Sequence, residues 1–91
     1  MQGKIAVGIV LFNPEDEKRV ERSMKSILAQ ISKIYVFDNS TRKSNIIFQP
    51  NVTYLTEHGN KGIAYALNRI LEIAKSDGDE WLITMDQDSV V

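Results

Sequence analysis

The chain has 91 residues, a formal net charge of −1 and no cysteine. This length suits one small domain, and the lack of cysteine excludes a disulfide framework and a thiolate zinc site. The near-neutral charge gives no electrostatic basis for binding nucleic acid. We expect residues 1–91 to form a single domain that is truncated at its carboxyl terminus, because the chain ends just past an apolar strand.

The first predicted strand is the apolar run Ile5–Leu11, which shows no alternation and is typical of a strand buried on both faces. It is too short to span a membrane, and no signal-peptide cleavage pattern follows it, so a cytoplasmic protein is expected. Asn13 is predicted to cap the next helix, with Pro14 as its first residue. Apolar residues then recur at helical spacing: Val20, Met24, Ile27, Leu28 and Ile31. The charged residues opposite this stripe, among them Glu21, are interpreted as solvated surface.

A second short strand, Ile34–Phe37, ends at Asp38. Residues 41–51 are predicted to form a turn or two of helix, which Pro50 closes before the third strand, Val52–Leu55. A glycine-bearing loop at residues 57–62 precedes a second helix.

The stripe of this second helix is predicted to be Ile63, Leu67, Ile70, Leu71 and Ala74. The fourth strand, Trp81–Met85, is predicted to be buried, with Trp81 as a packing residue.

The order of these elements predicts an α/β fold with a Rossmann-like parallel sheet. Right-handed crossovers favour the strand order 3-2-1-4, with helices on both faces. Ligands of such sheets bind past the carboxyl ends of the strands, where the winding direction changes. The residues expected at this rim are Phe12, Asn13, Asp38, Asn39, residues 57–62 and residues 86–88.

Two carboxylates, Asp86 and Asp88, follow the fourth strand with one residue between them. In extended backbone they can project to the same side, and paired carboxylates suit a hard divalent ion such as Mg²⁺ or Mn²⁺. A solvated turn is the alternative, since Asp and Ser are common turn residues. Their predicted position on the polar rim favours a ligand site.

The loop His58-Gly59-Asn60-Lys61-Gly62 precedes the second helix, as phosphate-binding loops do. It matches neither the dinucleotide pattern nor the P-loop pattern, and two glycines also suit a simple tight turn. His58 is the only histidine and is interpreted as an exposed loop residue.

Four ordered segments resemble a known family: V-G-I-V-L-F-N-P, V-F-D-N-S, G-N-K-G-I-A-Y-A-L-N and W-L-I-T-M-D-Q-D-S. Together they resemble the N-terminal half of inverting GT-A glycosyltransferases of the family 2 type. The D-N-S and D-Q-D-S motifs resemble the corresponding motifs of bacterial rhamnosyltransferases. The resemblance implies the nucleotide-binding half of a GT-A fold and metal-assisted transfer of a sugar, such as rhamnose from a dTDP donor, to a polysaccharide.

The resemblance also implies roles for individual residues. Asp38 would hydrogen-bond the nucleotide base, Asp86 would face the ribose, and Asp88 would hold Mg²⁺ or Mn²⁺ on the diphosphate. The residues implied to line the nucleotide pocket are Phe12, Asn13, Asp38, Asn60, Lys61, Gly62 and Asp86.

No residue of the chain matches the family's general base, which lies downstream with the acceptor pocket. The resemblance therefore implies an enzyme only as the full-length protein, with this chain alone inactive. The implied partners are a nucleoside-diphosphate sugar and a glycan or lipid-linked acceptor, with the full-length protein peripheral to the inner face of the cell membrane. The fourth strand, whose edge the expected truncation would leave bare, predicts a homodimer that depends on this truncation.

Three other hypotheses remain open. One is a binding module that holds nucleotide and metal without catalysis. A second is a phospho-acceptor signalling domain, which needs an acidic pair directly after the first strand, where Asn13 and Pro14 stand instead. The third is a purely structural domain, because a fold alone does not establish a function.

Overall fold

The computed structural model describes residues 5–42, 45–57, 59, 61–79 and 81–86. They form β1 (Ile5–Leu11), α1 (Glu17–Leu28), β2 (Ile34–Asp38), β3 (Val52–Thr56), α2 (Ile63–Ser76) and β4 (Trp81–Asp86). All strand pairs are parallel, and the order across the sheet is β3-β2-β1-β4. The predicted fold class and strand order are confirmed.

Alternate residues of the central strands face two separate cores, because side chains of a strand point to opposite faces. The core on one face joins β1 and β2 to α1 and includes Val7, Ile9, Leu11, Val20, Met24, Ile27, Ile34 and Val36. The core on the other face joins the same strands to α2 and consists of Ala6, Tyr35, Phe37, Ala66, Ile70 and Ala74. Helices therefore cover both faces, as predicted.

Helix α1 begins three residues later than predicted. Its N-cap is Asp16, whose side chain accepts a hydrogen bond of 3.0 Å from the backbone N–H of Arg19. The prediction of Asn13 as the cap is wrong, since Asn13 has a φ of 40° and its side chain bonds to the loop after β2. Pro14 is buried ahead of the helix.

The predicted helix between β2 and β3 is absent from the part of this crossover that is described, residues 41–42 and 45–51. The backbone N–H groups of Asn45 and Ile47 instead donate to the carboxylates of Glu17 and Glu21 on α1, at 3.1 and 2.9 Å. Between them, Ile46 enters the core beside α1. Glu21 is therefore an anchor for the crossover rather than simply solvated surface.

Helix α2 lies close to the sheet through small residues. Its buried residues are Ala66, Ile70 and Ala74, whereas Ile63 and Leu71 of the predicted stripe are exposed. The approach is tight enough that a Cβ added to Gly8 of β1 would lie 2.9 Å from Ile70 Cγ2.

Strand β4 is an edge strand of the described sheet, and the prediction that it is buried is only partly right. Leu82 and Met85 pack against the two cores. Trp81 is 66% exposed and Ile83 is 48% exposed. Both lie on the α1 face, where α1 covers the centre of the sheet and leaves this edge uncovered.

The amino ends of the strands are closed by a polar cluster. The hydroxyl of buried Tyr35 contacts the carboxylates of Asp77, at 2.7 Å, and Asp79. Burial, followed by these carboxylates, raises the pKa of Tyr35. Lys33 lies 3.4 Å from Asp77. The cluster ties the end of α2 to the start of β2. Among the described residues, no helix is long and apolar enough to cross a membrane.

Candidate functional site

The polar residues of interest lie where the strands end. In the parallel register, Leu11 of β1 pairs with Asp38 of β2, and Asp38 pairs with Thr56 of β3. Asp86, the last residue of β4, pairs with Val10 on the other side of β1. The carboxyl ends of all four strands therefore meet at one rim, and the change in winding direction lies between β1 and β4.

Asp38 is the best-defined acid of this rim. It is 5% exposed, and its carboxylate accepts hydrogen bonds from the backbone N–H of Ser40 at 2.9 Å and from the hydroxyl of Tyr54 at 2.6 Å. Thr56 Oγ1 donates to the carbonyl of Asp38 at 3.2 Å. A carboxylate has about four acceptor positions, so Asp38 can still accept a donor from a ligand. Burial and the neighbouring Asp38 raise the pKa of Tyr54 to about 12.

Asn13 joins the end of β1 to the loop after β2. Its backbone N–H donates to Ser40 Oγ at 2.7 Å, and its side-chain oxygen accepts from the N–H groups of Thr41 and Arg42 at 2.9 and 3.1 Å. The Arg42 guanidinium donates to the carbonyl of Asn13 at 2.7 Å. These bonds hold the unusual φ of Asn13 and set the position of its exposed neighbour, Phe12.

Asn39 joins β2 to the glycine-bearing loop. It is 3% exposed, and its backbone N–H donates to the carbonyl of Leu11 at 2.8 Å. Its side-chain Nδ2 donates to the carbonyl of Gly62 at 3.1 Å, and its Oδ1 accepts from the N–H of Lys61 at 3.2 Å. The loop that leads into α2 is thus held against the end of β2.

The end of β3 carries a more exposed cluster. The carboxylate of Glu57 accepts from the hydroxyl of Tyr65 at 2.6 Å and from Arg69 Nε at 3.3 Å. The hydroxyl of Tyr65 is the main cause of the lowered pKa of Glu57, and the carboxylate in turn raises the pKa of Tyr65. The ring of Tyr65 also makes an edge contact with Phe37, with centroids 5.9 Å apart.

Five of the predicted site residues are described with their side chains or, for glycine, their backbone, and all lie at this rim: Phe12, Asn13, Asp38, Lys61 and Gly62. The backbone of Asp86 ends β4 at the same rim, while the direction of its carboxylate stays a prediction. Asn60 and Asp88 lie outside the described residues, as does His58. Within the described ranges, no group of three or more metal-ligating side chains occurs, so the metal site at Asp88 also stays a prediction.

The sequence predicted Asn39 at the rim without a role, and it gave no prediction for two other residues that surround Asp38, Ser40 and Tyr54. Ser40 belongs to the D-N-S motif, but the motif alone did not indicate its bonds. Tyr54 carried no signal of its own, because its partner is known only once the register of β2 and β3 is known.

A cavity of about 510 Å³ lies at the opposite end of the sheet. Its lining includes Ile5, Ser32, Lys33, Asp77 and Asp79, near the polar cluster that closes the amino ends of the strands. It contains none of the residues predicted to bind a ligand. The rim is therefore identified by its converging polar groups and the sheet topology rather than by an enclosed volume.

Comparison with known proteins agrees with this geometry. The family profile described as "Glycosyl transferase family 2" matches residues 6–91, which is nearly the whole chain. No curated protein matches the chain significantly. Proteins of this family commonly use a divalent metal ion, with a nucleotide sugar as donor. The matched sequence agrees with the parallel 3-2-1-4 sheet and with the polar rim. The chain belongs to glycosyl transferase family 2.

Proposed function

We propose that the chain is the nucleotide-sugar-binding part of an inverting, metal-assisted glycosyltransferase. The proposed donor is a dTDP sugar such as dTDP-rhamnose, and the proposed acceptor is a glycan or a lipid-linked glycan of a bacterial surface polysaccharide. The observation that carries this proposal is the buried carboxylate of Asp38, which is held at the end of β2 by Tyr54 and Ser40.

Asp38 is suited to reading a pyrimidine base. Its two present hydrogen bonds orient the carboxylate, and the remaining lone pairs can accept the ring N–H that uracil and thymine both carry. Because Asp38 is nearly buried, a hydrogen bond to it is stronger than one made in open solvent. Phe12 and Asn13, at the end of the adjacent strand, are proposed to lie along the base.

The diphosphate is proposed to lie nearer β4 and the loop before α2. Lys61 is exposed in that loop and carries the positive charge that a diphosphate attracts. Asp86 is proposed to face the ribose from the end of β4, and Asn60 to line the same pocket with Gly62.

A divalent ion fits the chemistry of the proposed donor set, since the carboxylate oxygens of a D-x-D segment are the ligands that Mg²⁺ and Mn²⁺ prefer. We assign Asp88 as the residue that holds it. When bound, such an ion stabilises the negative charge that develops on a diphosphate leaving group. The residues of this chain would bind and orient the donor, and the general base is proposed to lie in the full-length protein.

The test is calorimetric titration of the chain with UDP, dTDP and GDP, with and without Mn²⁺. We expect UDP or dTDP to bind more tightly with the metal present, and Asp38→Asn to weaken that binding. The matched control is Asp77→Asn, which makes the same change at the opposite end of the sheet, where no nucleotide is proposed to bind. If no nucleotide binds, and Asp88→Ala leaves metal binding unchanged, the proposal is refuted.

We also propose that the chain forms a homodimer through the edge of β4. This strand is unpaired on one side in the described sheet, and Trp81 and Ile83 expose apolar area beside it. Exposed edges of this kind readily pair with another strand. Light scattering over a range of concentrations should show a dimer that Trp81→Lys weakens, whereas a monomer at every concentration would exclude it.

A further inference from the structure

The middle residue of the D-N-S motif has a bonding pattern that differs from those of its neighbours. The carboxylate of Asp38 accepts hydrogen bonds from Ser40 and Tyr54, and the hydroxyl oxygen of Ser40 accepts one from the N–H of Asn13. The Asn39 side chain does both, since it donates to the carbonyl of Gly62 and accepts from the N–H of Lys61. One carboxamide thus binds a backbone acceptor, the carbonyl of Gly62, and a backbone donor, the N–H of the residue before it.

Few side chains can make this bridge. A carboxamide presents a donor and an acceptor side by side, whereas an ionised carboxylate only accepts. Asn39 is almost completely buried, so a carboxylate there would face the carbonyl oxygen of Gly62 without a proton to share. Leaving a buried polar group unpaired is costly. The site therefore selects Asn over Asp on physical grounds.

The bridge acts on the start of α2. The N-cap of α2 is Gly62, with a φ of 86°, and as a glycine it has no side chain of its own to cap the helix. Asn39 is bonded to the carbonyl of that cap residue and to the N–H just before it. It also follows Asp38 directly, and its own N–H is bonded to the end of β1. One residue thereby joins the proposed base-reading acid to the loop proposed to lie along the diphosphate.

We propose that Asn39 is a positioning residue for the nucleotide, which holds the loop before α2 at a set distance from the carboxylate of Asp38. This proposal rests on the proposed function, because it concerns how the same nucleotide is bound. Asn39 is nearly buried and both ends of its carboxamide are bonded to the loop, so its proposed role needs no contact with the nucleotide itself. Its loss should weaken the binding of a nucleoside diphosphate by letting the two halves of the pocket move apart.

The test uses Asn39→Asp and a pH comparison. At mildly alkaline pH the new carboxylate cannot donate to Gly62, and we expect about tenfold weaker binding of dTDP or UDP in the presence of Mg²⁺. At mildly acidic pH a protonated carboxyl regains one donor and one acceptor, which should restore most of the affinity. Burial raises the pKa of such a carboxyl, so that its protonation is expected at mildly acidic pH.

Two reference proteins are titrated in parallel. The wild type carries every other titratable group of the chain, so the affinity ratio of variant to wild type isolates position 39. Asn51→Asp introduces the same charge at an exposed residue at the amino end of the sheet, where Asn51 donates to the carbonyl of Ser32. We expect its affinity to equal that of the wild type at both pH values.

Equal affinity of Asn39→Asp and wild type at alkaline pH would overturn the proposal, and so would a loss that is the same at both pH values. If Asn39→Asp does not fold at alkaline pH, Asn39→Ala should bind more weakly at both pH values, with faster hydrogen exchange at the Lys61 amide. Wild-type affinity in a folded Asn39→Ala would also overturn it. Failure of the wild type itself to bind any nucleotide would instead count against the proposed function, which is refuted if Asp88→Ala also leaves metal binding unchanged.

Discussion

Tyr54→Phe tests whether the surroundings of Asp38 are as the structure describes them. The change removes the hydroxyl that donates to the Asp38 carboxylate at 2.6 Å. The phenyl ring that remains can keep its contact with Phe48, whose ring centroid is 4.7 Å away. The substitution therefore isolates one hydrogen bond to a nearly buried charge.

The expected loss in the free energy of unfolding depends on how exposed Tyr54 and Asp38 are. A hydrogen bond to a charged group contributes about 1.5–3 kcal/mol when it is shielded from water. Tyr54 is 42% exposed, so water can replace part of the lost bond, and the N–H of Ser40 still supports the carboxylate. We expect the free energy of unfolding to fall by about 1–2 kcal/mol after this discount, as measured by urea unfolding at neutral pH.

Burial of Tyr54, followed by the same bond, also predicts a pH dependence of stability. The pKa of Tyr54 is raised to about 12 in the folded chain, above the ordinary value of 10.0. Above pH 10.0 the unfolded chain releases this proton first, so the contribution of Tyr54 is complete below that pH and is lost as the pH rises towards 12. The difference in stability between wild type and Tyr54→Phe should therefore shrink over this range.

The matched control is Tyr65→Phe, which removes a hydroxyl bonded to the exposed carboxylate of Glu57. A smaller loss of stability is expected there, because the carboxylate of Glu57 is exposed to water, whereas that of Asp38 is nearly buried. Equal stability of Tyr54→Phe and wild type at neutral pH would refute the reasoning. A stability difference that does not change up to pH 12 would show that the hydroxyl of Tyr54 is not bonded to a charge.

Three further predictions concern the fold. Gly8→Ala should destabilise the chain by about 1–3 kcal/mol in urea unfolding, because the new methyl group overlaps Ile70. In an Ile70→Ala background this cost should largely disappear, and an undiminished cost would contradict the explanation. Asp16→Ala should lower the free energy of unfolding by about 1 kcal/mol through loss of the α1 cap, whereas Asp16→Ser should restore most of it. The N–H of Ile47 is the main cause of the lowered pKa of Glu21. The ionised carboxylate of Glu21 therefore contributes to stability above pH 4.5, and this contribution is lost as the pH falls through the folded-state pKa. Glu21→Gln should therefore be less stable than wild type at neutral pH and nearly equal in acid, with faster hydrogen exchange at Ile47; equal exchange in the two proteins would contradict this role.

The elements and their order could be read from the sequence because they depend on local patterns. Each apolar run became a strand, and β1 has the predicted bounds, Ile5–Leu11. The sheet order followed from the handedness of crossovers, which holds for almost any parallel sheet. Asp38 could be predicted as a rim residue for the same reason, since the position directly after a parallel strand is set by the strand itself.

The start of α1 and the crossover could not be predicted, because tertiary contacts outweigh local preference there. Asn13 and Pro14 form a good local start for a helix, yet Asn13 is held by the loop after β2. The crossover could form a helical turn by itself, yet two of its N–H groups, those of Asn45 and Ile47, donate to the carboxylates of Glu17 and Glu21 on α1. In both cases the competing partner is distant in sequence.

The sequence by itself determined the α/β class, the 3-2-1-4 order and the acids that could lie at the ligand rim. Only the tertiary structure decided how the best-defined acid is supported. Tyr54 reaches Asp38 because β3 pairs with β2 in one particular register. Asn39 reaches Lys61 and Gly62 because α2 crosses to the other face and brings its first residues back to the end of β2. Contacts of this kind join segments whose separation in sequence carries no information about their distance in space.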